Sequence, residues 1–442
     1  MKIIFPLLCF LAATVCLGSS LINGPMLSDL TFREAQIWVQ ADSEASVRVE
    51  YFDENNPKNT HFTSKVLTED SSAHTANLIL SKVEPGIQYR YRIELNGEIL
   101  KPYYSFTSPV YFHEKAPPPD VKLALAGAHY NLDGPFEPPY SKYGGAYSIF
   151  QKIYEEKPDL MLWVGNTAHI RESDQDSRSG YLKRYTKARD GIKPNALLAE
   201  IPHYAVWSSG DYGSLDSGRE MSLKATAQAA FINFWPKSGS VVHQDALCYS
   251  HKISDMELFF LDSQSQRDSN NNPSKIPEIF SSQQIAWLKQ ALIESKATFK
   301  LIVSGAPILN PSKEKKNFSF SEIEKAQLLE HFKTHKIEGL LFVSGGSYKG
   351  ELTRIVHSSF YSFHDLTVGP STASPLDSDS ELNFFRIPGT NTFERQYATI
   401  EVYGEETDRK LKMTVFNLAG VELWSRIIGQ RELTANEDKN DA

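Results

Sequence analysis

The sequence predicts an α/β protein in which an all-β domain precedes a larger domain of alternating strands and helices. Three observations support this fold class: short alternating apolar segments fill the N-terminal quarter, a run of three prolines follows, and strand and helix patterns then alternate. The chain has 442 residues. At roughly 150 residues per domain, that length suits two or three domains with a large hydrophobic core.

The chain opens with an apolar segment typical of a secretion signal. Lys2 precedes the mostly apolar residues 3–17, and small residues follow at 18–20. We therefore expect residues 1–20 to be a signal peptide that is removed near Ser20. The segment is too short to span a bilayer, and no later window holds the ~18 unbroken apolar residues of a membrane helix. These features predict an exported protein without a transmembrane segment.

Cysteine usage narrows the expected compartment. Cys9 and Cys16 lie in the predicted signal, so a mature chain retains Cys248 alone and forms no intrachain disulfide. This usage favours the periplasm or the exterior of a bacterial envelope over an animal extracellular space. A lipid anchor at Cys16 is not expected, because Val15 stands where a lipoprotein signal has a small residue.

Residues 21–113 are predicted to form a β-sandwich. Alternating segments separated by turn residues predict strands at 35–41, 46–52, 74–80 and 88–95. Tyr89 comes just after the turn at Pro85-Gly86, and Asn96-Gly97 is a two-residue hairpin signal. The tyrosine resembles the tyrosine corner of fibronectin-type sandwiches, so a fibronectin/immunoglobulin-like domain is expected.

A proline-rich linker at 114–120 separates this region from a predicted α/β domain at 121–430. Its prolines remove backbone donors and stiffen the connection. Strands are expected at 121–126, 160–164, 203–207, 258–262, 300–304, 340–344, 352–356, 396–403, 410–416 and 421–428, and helices at 146–157, 281–295 and 321–335. The polar residues 431–442 are predicted to be a disordered tail.

Charge excludes nucleic acid as the main partner. The chain has 46 Lys and Arg residues against 54 Asp and Glu residues, which gives a net charge of -8. Binding to a phosphate backbone needs clustered basic residues, which this balance does not provide.

The residues just after each predicted strand are the candidates for chemistry, because ligands of open α/β sheets bind beyond the carboxyl ends of the strands. These junctions hold His129, Asn166, Ser208, Ser209, Asp211, Asp262 and Lys349.

Several longer stretches around these junctions are distinctive. They are Met161-Leu162-Trp163-Val164-Gly165, Trp207 with Asp211-Tyr212-Gly213, Phe259-Phe260-Leu261-Asp262, Trp287-Leu288, Gly350-Glu351-Leu352 and Asp365-Leu366-Thr367-Val368. In their order and in their residues, these stretches resemble the alkaline phosphatase D (PhoD-like) family of metallophosphoesterases, over nearly the whole chain after the signal. The resemblance implies an αββα four-layer sandwich behind the β-sandwich domain. It also implies a phosphoric ester hydrolase that uses calcium, iron or other divalent metals.

The metal ligands that the family carries within or beside these stretches are replaced in this sequence. Ala128 stands in place of a cysteine, and Asn166 stands in place of the bridging aspartate. The family's Asp-Asp-His run has become Ser208-Ser209-Gly210, and its Asp-Arg-His-His run has become Gly346-Ser347-Tyr348-Lys349. Two cations about 4 Å apart need carboxylates, imidazoles or thiolates to hold them. We therefore expect no metal, no other cofactor and no catalytic residue.

The resulting hypothesis is an exported pseudophosphatase whose remaining pocket binds a phosphorylated or sugar-like small molecule, or contacts another envelope protein. The candidate binding residues are His129, Asn166, Ser208, Ser209, Asp211, Asp262, Arg267 and Lys349. Structural interpretations stay open: a histidine in the pocket wall, aspartates that accept loop N–H groups, and an arginine in a salt bridge. The alternative function is an active phosphoesterase with a rearranged metal site around His129, Asp211, Asp216 and Asp262.

Two weaker patterns are not expected to hold a metal. His331 and His335 have the i, i+4 spacing of a ligand pair, but the glutamate of a His-Glu-x-x-His motif is missing. The acidic loop at 377–381 alternates like a calcium loop and lacks its glycine turn.

Overall fold

The structure is a computed structural model that describes residues 18–113, 115–134, 143–214, 217–236, 246–268, 277–312, 317–378 and 382–435. Several sequence predictions fall outside the described residues: most of the signal peptide, Glu114 of the linker, Asp216, part of the acidic loop, and residues 436–442. In the described part of the chain, no helix combines the length and apolar character needed to cross a membrane.

The N-terminal region forms two antiparallel sheets that face each other. Its strands are β1 (Leu21–Leu30), β2 (Ala35–Ala41), β3 (Ser46–Asp53), β4 (His61–Phe62), β5 (Val66–Leu67), β6 (Thr75–Leu80), β7 (Gln88–Leu95), β8 (Glu98–Ile99) and β9 (Tyr104–Thr107). One sheet has the order β1-β2-β6 and the other β4-β3-β7-β8, with β5 on β3 and β9 on β7. Ile37, Leu78, Val49 and Ile93 are buried between the sheets. The predicted β-sandwich is confirmed.

Two local signals of this sandwich have the expected geometry. The Tyr89 hydroxyl accepts a hydrogen bond from the backbone N–H of Glu84 at 2.9 Å, as in a tyrosine corner. Asn96 and Gly97 join β7 to β8 with φ angles of 50° and 90°. Both residues are left-handed, as a tight hairpin requires.

The rest of the chain forms two six-stranded sheets with flanking helices. Its strands are β10 (Val121–Ala126), β11 (Leu160–Val164), β12 (His203–Val206), β13 (Tyr249–Ile253), β14 (Met256–Leu261), β15 (Phe299–Ser304), β16 (Leu340–Ser344), β17 (Glu351–Ile355), β18 (Phe363–Thr367), β19 (Gln396–Tyr403), β20 (Lys410–Asn417) and β21 (Glu422–Gly429). The helices are α1 (Ile149–Glu155), α2 (Arg178–Asp190), α3 (Asn195–Glu200), α4 (Ser209–Tyr212), α5 (Lys224–Phe234), α6 (Ser282–Glu294) and α7 (Glu322–Thr334).

The sheet orders are β12-β11-β10-β19-β20-β21 and β13-β14-β15-β16-β18-β17. Strands β10 to β12 are parallel, and so are β14, β15, β16 and β18. Their carboxyl ends therefore lie at one edge of each sheet, where the candidate residues follow.

The two sheets pack face to face and helices cover their outer faces. Leu123 and Leu162 of the first sheet share one buried cluster with Leu301 and Val343 of the second. The alternate residues of the first sheet, such as Trp163, pack against α1, α2, α3 and α5. Helices α6 and α7 cover the second sheet through residues such as Leu288. This is the expected αββα arrangement of four layers.

Helix α1 is shorter than the predicted 146–157. Ala146 and Lys157 have left-handed φ angles of 61° and 51°, so neither continues the helix that spans Ile149–Glu155.

The sandwich packs directly on the α/β domain. The Trp38 Nε1 donates to the Asn233 carbonyl at 2.7 Å, and the Tyr204 hydroxyl donates to Asp29 Oδ1 at 2.7 Å. At the other end of the linker, the Arg409 Nη1 donates to Asp120 Oδ1 at 2.8 Å. The first two contacts join the two units, and the third fixes the end of the linker on the α/β domain, while the domain boundaries themselves stay predictions.

The ordered chain extends beyond residue 430, where a polar tail was expected to begin. Residues Gln430–Leu433 form a 3-10 helix and the Leu433 side chain is fully buried. Its carbonyl accepts a hydrogen bond from the Gly339 N–H at 2.9 Å. The buried Leu433 side chain therefore anchors this polar segment to the α/β domain.

Candidate ligand pocket at the strand ends

The carboxyl ends of the two sheets meet in direct backbone contact. The N–H of Gly346 donates to the Val164 carbonyl at 3.2 Å, which joins the loop after β16 to the end of β11. Gly346 has a φ of 64°, and a Cβ placed on it would lie 2.2 Å from the Gly305 carbonyl oxygen and 2.5 Å from Ser208 Oγ. Because those distances are far below contact distance, backbone atoms occupy the space that a ligating side chain at this position would need.

Asn166 closes the neighbouring junction. Its Oδ1 accepts a hydrogen bond from the Gly210 N–H at 2.8 Å. A Cβ on Gly210 would lie 2.6 Å from that same oxygen. Ser208 is the N-cap of the short helix α4 and Ser209 is its first residue, and they are 5% and 4% exposed. Asn166, Ser208 and Ser209 thus lie together in a packed junction.

Asp211 is a buried acceptor for the backbone of these loops. Its Oδ1 accepts from the Thr167 N–H at 2.6 Å, the Thr167 hydroxyl at 2.8 Å and the Ala168 N–H at 2.9 Å. Its Oδ2 accepts from the Ser208 N–H at 3.0 Å. Burial raises the pKa of the Asp211 carboxyl to about 6, and the hydrogen bonds oppose that rise. The carboxylate therefore holds the second and third junctions together.

Asp262 plays the same part at the fourth junction. Its Oδ1 accepts from Trp207 Nε1 at 2.7 Å and from the backbone N–H groups of Gln264 and Ser265 at 3.0 and 2.9 Å. Its Oδ2 accepts from the Leu247 N–H at 3.0 Å and the Ser265 hydroxyl at 2.6 Å. Both oxygens are engaged within the protein.

His129 lies in the core behind the strand ends. Its Nε2 donates to the Ala188 carbonyl at 2.7 Å, which leaves Nδ1 to accept from the Thr372 hydroxyl at 2.8 Å. Burial lowers the pKa of His129 to about 4, so the ring is neutral at pH 7. Both ring nitrogens are used by the fold.

Arg267 and Lys349 are both buried. Arg267 is 2% exposed and its carbonyl accepts from the Arg219 N–H at 2.9 Å. The Lys349 ammonium lies 4.0 Å from Glu351 Oε2, an oxygen that also accepts from Arg386 Nε at 2.7 Å. Lys349 therefore belongs to a buried ion cluster with Glu351.

A cavity of about 460 Å³ lies beside these junctions, and we call it the strand-end pocket. Its lining includes Tyr130, Tyr143, His169, Arg171, Tyr348, Ala373, Ser374 and Pro375. Tyr130 comes two residues after Ala128, His169 three after Asn166, and Tyr348 two after Gly346. Residues next to the predicted positions, rather than those positions themselves, line the cavity. Sequence analysis missed them, although an aromatic side chain follows several strand ends.

The sequence itself assigns the family. The family model described as PhoD-like phosphatase matches residues 123–411. The chain belongs to the PhoD-like phosphatase family. A second family model, described as Domain of unknown function (DUF7800), matches residues 18–112. A comparison with curated protein sequences finds no match.

Two solved structures agree with this PhoD-like fold. A structure of PhoD is 13% identical, covers 93% of this chain and 91% of its own, and gives a TM-score of 0.70. The purple acid phosphatase PPD1 of yellow lupin (Lupinus luteus) is 13% identical, covers 92% of this chain and 75% of its own, and gives a TM-score of 0.67. At these identities the likeness shows the fold alone.

The two-metal centre that the PhoD-like resemblance implies does not fit the residues present. Within the described ranges, no group of three or more His, Cys, Asp and Glu side chains is arranged to hold a metal ion. The retained carboxylates Asp211 and Asp262 are turned to backbone donors, and Gly210 and Gly346 leave no room for ligating side chains.

Proposed function

We propose that this PhoD-like chain is an exported pseudophosphatase that binds a small molecule at the strand-end pocket and does not hydrolyse it. The closed backbone contact at Gly346 carries the proposal, because a Cβ there would lie 2.2 Å from the Gly305 carbonyl oxygen. Two-metal hydrolysis needs a pair of cations that clamp the phosphoryl oxygens and activate water. Side chains able to hold such a pair have no space at this junction.

The retained acidic residues support the same proposal. Asp211 accepts four hydrogen bonds and Asp262 accepts five from groups of the protein. Recruiting either carboxylate to a metal would leave buried N–H groups unpaired, at about 1–3 kcal/mol for each. The rearranged metal site around His129, Asp211, Asp216 and Asp262 is therefore the less favoured function.

The place of action is part of the proposal. The apolar residues 3–17, followed by small residues at 18–20, support export to the periplasm or exterior of a bacterial envelope. The expected ligand is a phosphorylated or sugar-like small molecule, with another envelope protein as the alternative partner. Expression of the full chain followed by N-terminal sequencing of the exported product tests the cleavage near Ser20.

Metal analysis together with an activity assay tests the loss of catalysis. The purified full-length protein is assayed for bound metals by mass spectrometry, and for hydrolysis of an aryl phosphate diester with added calcium, iron or manganese. We expect far less than stoichiometric metal and no hydrolysis above the buffer rate. Stoichiometric iron or zinc, or hydrolysis that Asn166→Ala abolishes, would overturn the proposal.

A further inference from the structure

We infer that the strand-end pocket binds a neutral sugar ring between its tyrosines, an inference that rests on the proposed non-hydrolytic function. Rings of Tyr130, Tyr143, Tyr348 and His169 form the walls of the cavity of about 460 Å³. This volume suits a monosaccharide or one residue of a larger glycan. Flat apolar faces with a few fixed polar groups match a sugar, which has apolar C–H faces and an equatorial rim of hydroxyls.

The walls are held in place by the strand ends. The Tyr130 N–H donates to the Thr372 hydroxyl at 2.8 Å, and the Tyr348 carbonyl accepts from the Leu376 N–H at 2.9 Å. The His169 ring meets Tyr130 edge to face, with 5.2 Å between ring centroids. These fixed aromatic walls reduce the ordering that a ligand must impose, which favours binding by a small neutral molecule.

Charge in the pocket disfavours phosphate. Arg171 lines the cavity, but its Nε donates to Asp174 Oδ2 at 2.6 Å and its Nη2 donates to Asp133 Oδ2 at 2.9 Å. The Asp133 carboxylate also lies 3.8 Å from the Lys183 ammonium. Asp174 and Asp133 thus pair with Arg171 and Lys183, so an incoming anion meets negative oxygens beside the Arg171 guanidinium. The third nearby cation, Arg184, is 1% exposed behind the Tyr130 ring and offers an anion no direct contact.

A cationic ligand is disfavoured by a buried arginine behind the Tyr130 ring. The Arg184 guanidinium carbon lies 4.5 Å from the centroid of the Tyr130 ring, and Arg184 is 1% exposed. This buried positive charge occupies one face of the ring and repels a second cation that approaches the other face. The pocket is therefore suited to a ligand without net charge.

The polar atoms at the wall include two that lack a hydrogen-bond partner within the described residues. They are Nε2 of His169 and Oγ of Ser374, both buried. The ring of His169 is neutral because burial lowers its pKa to about 3. A neutral imidazole nitrogen and a hydroxyl are suitable partners for sugar hydroxyls, and pairing them would remove an unfavourable feature of the empty pocket.

The test uses the full-length protein and saturation-transfer NMR titrations. The probes are the methyl glycosides of glucose, galactose, mannose and N-acetylglucosamine, with inorganic phosphate and tetramethylammonium as charged comparators. We expect at least one glycoside to bind with a dissociation constant in the micromolar to millimolar range, and neither charged probe to displace it.

Variants locate the binding. Tyr143→Ala should weaken binding about tenfold through lost ring contact, and Ser374→Ala about fivefold through a lost hydrogen bond. Tyr111→Ala is the matched control, because Tyr111 is 48% exposed and Tyr143 is 55% exposed, and Tyr111 is absent from the residues identified in the pocket lining. Its affinity should equal that of the unmodified protein.

Three results would overturn the inference: no glycoside binds, phosphate or tetramethylammonium occupies the pocket instead, or binding is unchanged in Tyr143→Ala and Ser374→Ala. Each of these leaves metal content and diester hydrolysis unaffected, so the proposed loss of catalysis would survive. Stoichiometric metal with turnover would instead refute the proposed function, whatever the glycosides do.

Discussion

Replacing Gly346 with alanine tests whether the strand ends are closed. The residue has a φ of 64°, and the new Cβ would lie 2.2 Å from the Gly305 carbonyl oxygen. An L residue in the left-handed region costs about 1–2 kcal/mol. Overpacking of a tight site adds about 1–3 kcal/mol. We therefore expect Gly346→Ala to reduce the free energy of unfolding by about 2–5 kcal/mol.

A variant at a second glycine separates the cost of backbone strain from the cost of overpacking. Gly389 has a φ of 80°, and a Cβ on it would meet no heavy atom within 4 Å. Gly389→Ala should therefore lose only the backbone part, about 1–2 kcal/mol. Urea unfolding followed by tryptophan fluorescence measures both variants under the same conditions. Equal losses would refute the reasoning, because they would mean that the space beside Gly346 is open and that ligating side chains have room there.

Three further predictions concern the carboxylate, pH and the linker. Asp211→Asn should reduce the free energy of unfolding by about 2–4 kcal/mol, because an amide nitrogen would face buried N–H donors. The exposed Asp377→Asn is its control, and a loss in urea unfolding no greater than that of the control would contradict the structural role. Stability should rise between about pH 4 and 6.5, because the folded state disfavours protonation of buried histidines whose pKa values burial lowers to about 3 or 4. They are His129, His169, His203 and His364. Asp211 has the opposite effect: burial raises its pKa to about 6, so its deprotonation destabilises the folded state as pH rises. Glu324 has the same effect, with a pKa that burial raises to about 7. Burial also raises the pKa of Asp159 and Asp365 and lowers that of His61 and His331. Six histidines then stand against four acids among the described residues, so a urea midpoint that is flat or falls from pH 4.5 to 6.5 would be contrary to expectation. Limited trypsin digestion should cut first after the exposed Lys115, and the fragments should co-elute in size exclusion because the sandwich packs on the α/β domain. Earlier cleavage inside the sandwich, or separation of the fragments, would count against that interface.

The sequence predicts strands well where both faces are buried. β10 (Val121–Ala126) and β11 (Leu160–Val164) have the predicted bounds, because apolar runs that end at turn residues leave one interpretation. Helix α2 was not predicted, since its buried face includes Arg184 and Arg189 and weakens the apolar period. A side chain that buries a charge through tertiary contacts has no local signature.

The candidate site shows the same limit. The strand-end rule led to the edge of the sheets that borders the strand-end pocket, because parallel strands bring their carboxyl ends together. It did not reveal which polar atoms the fold itself would use. The two nitrogens of His129 find partners at Ala188 and Thr372, which are distant in sequence. Tyr130 and Tyr348 come together only because β10 and β16 end near each other.

Charge balance explains why the junction can be neutral. A pair of divalent cations would offset several buried carboxylates, whereas without cations each carboxylate needs donors of its own. Asp211 and Asp262 have them, four and five respectively. The Asn166 side-chain oxygen accepts one, from Gly210. An aspartate at position 166 would bury a second charge beside Asp211 with a single donor, so restoring that carboxylate alone should destabilise the junction without creating a metal site.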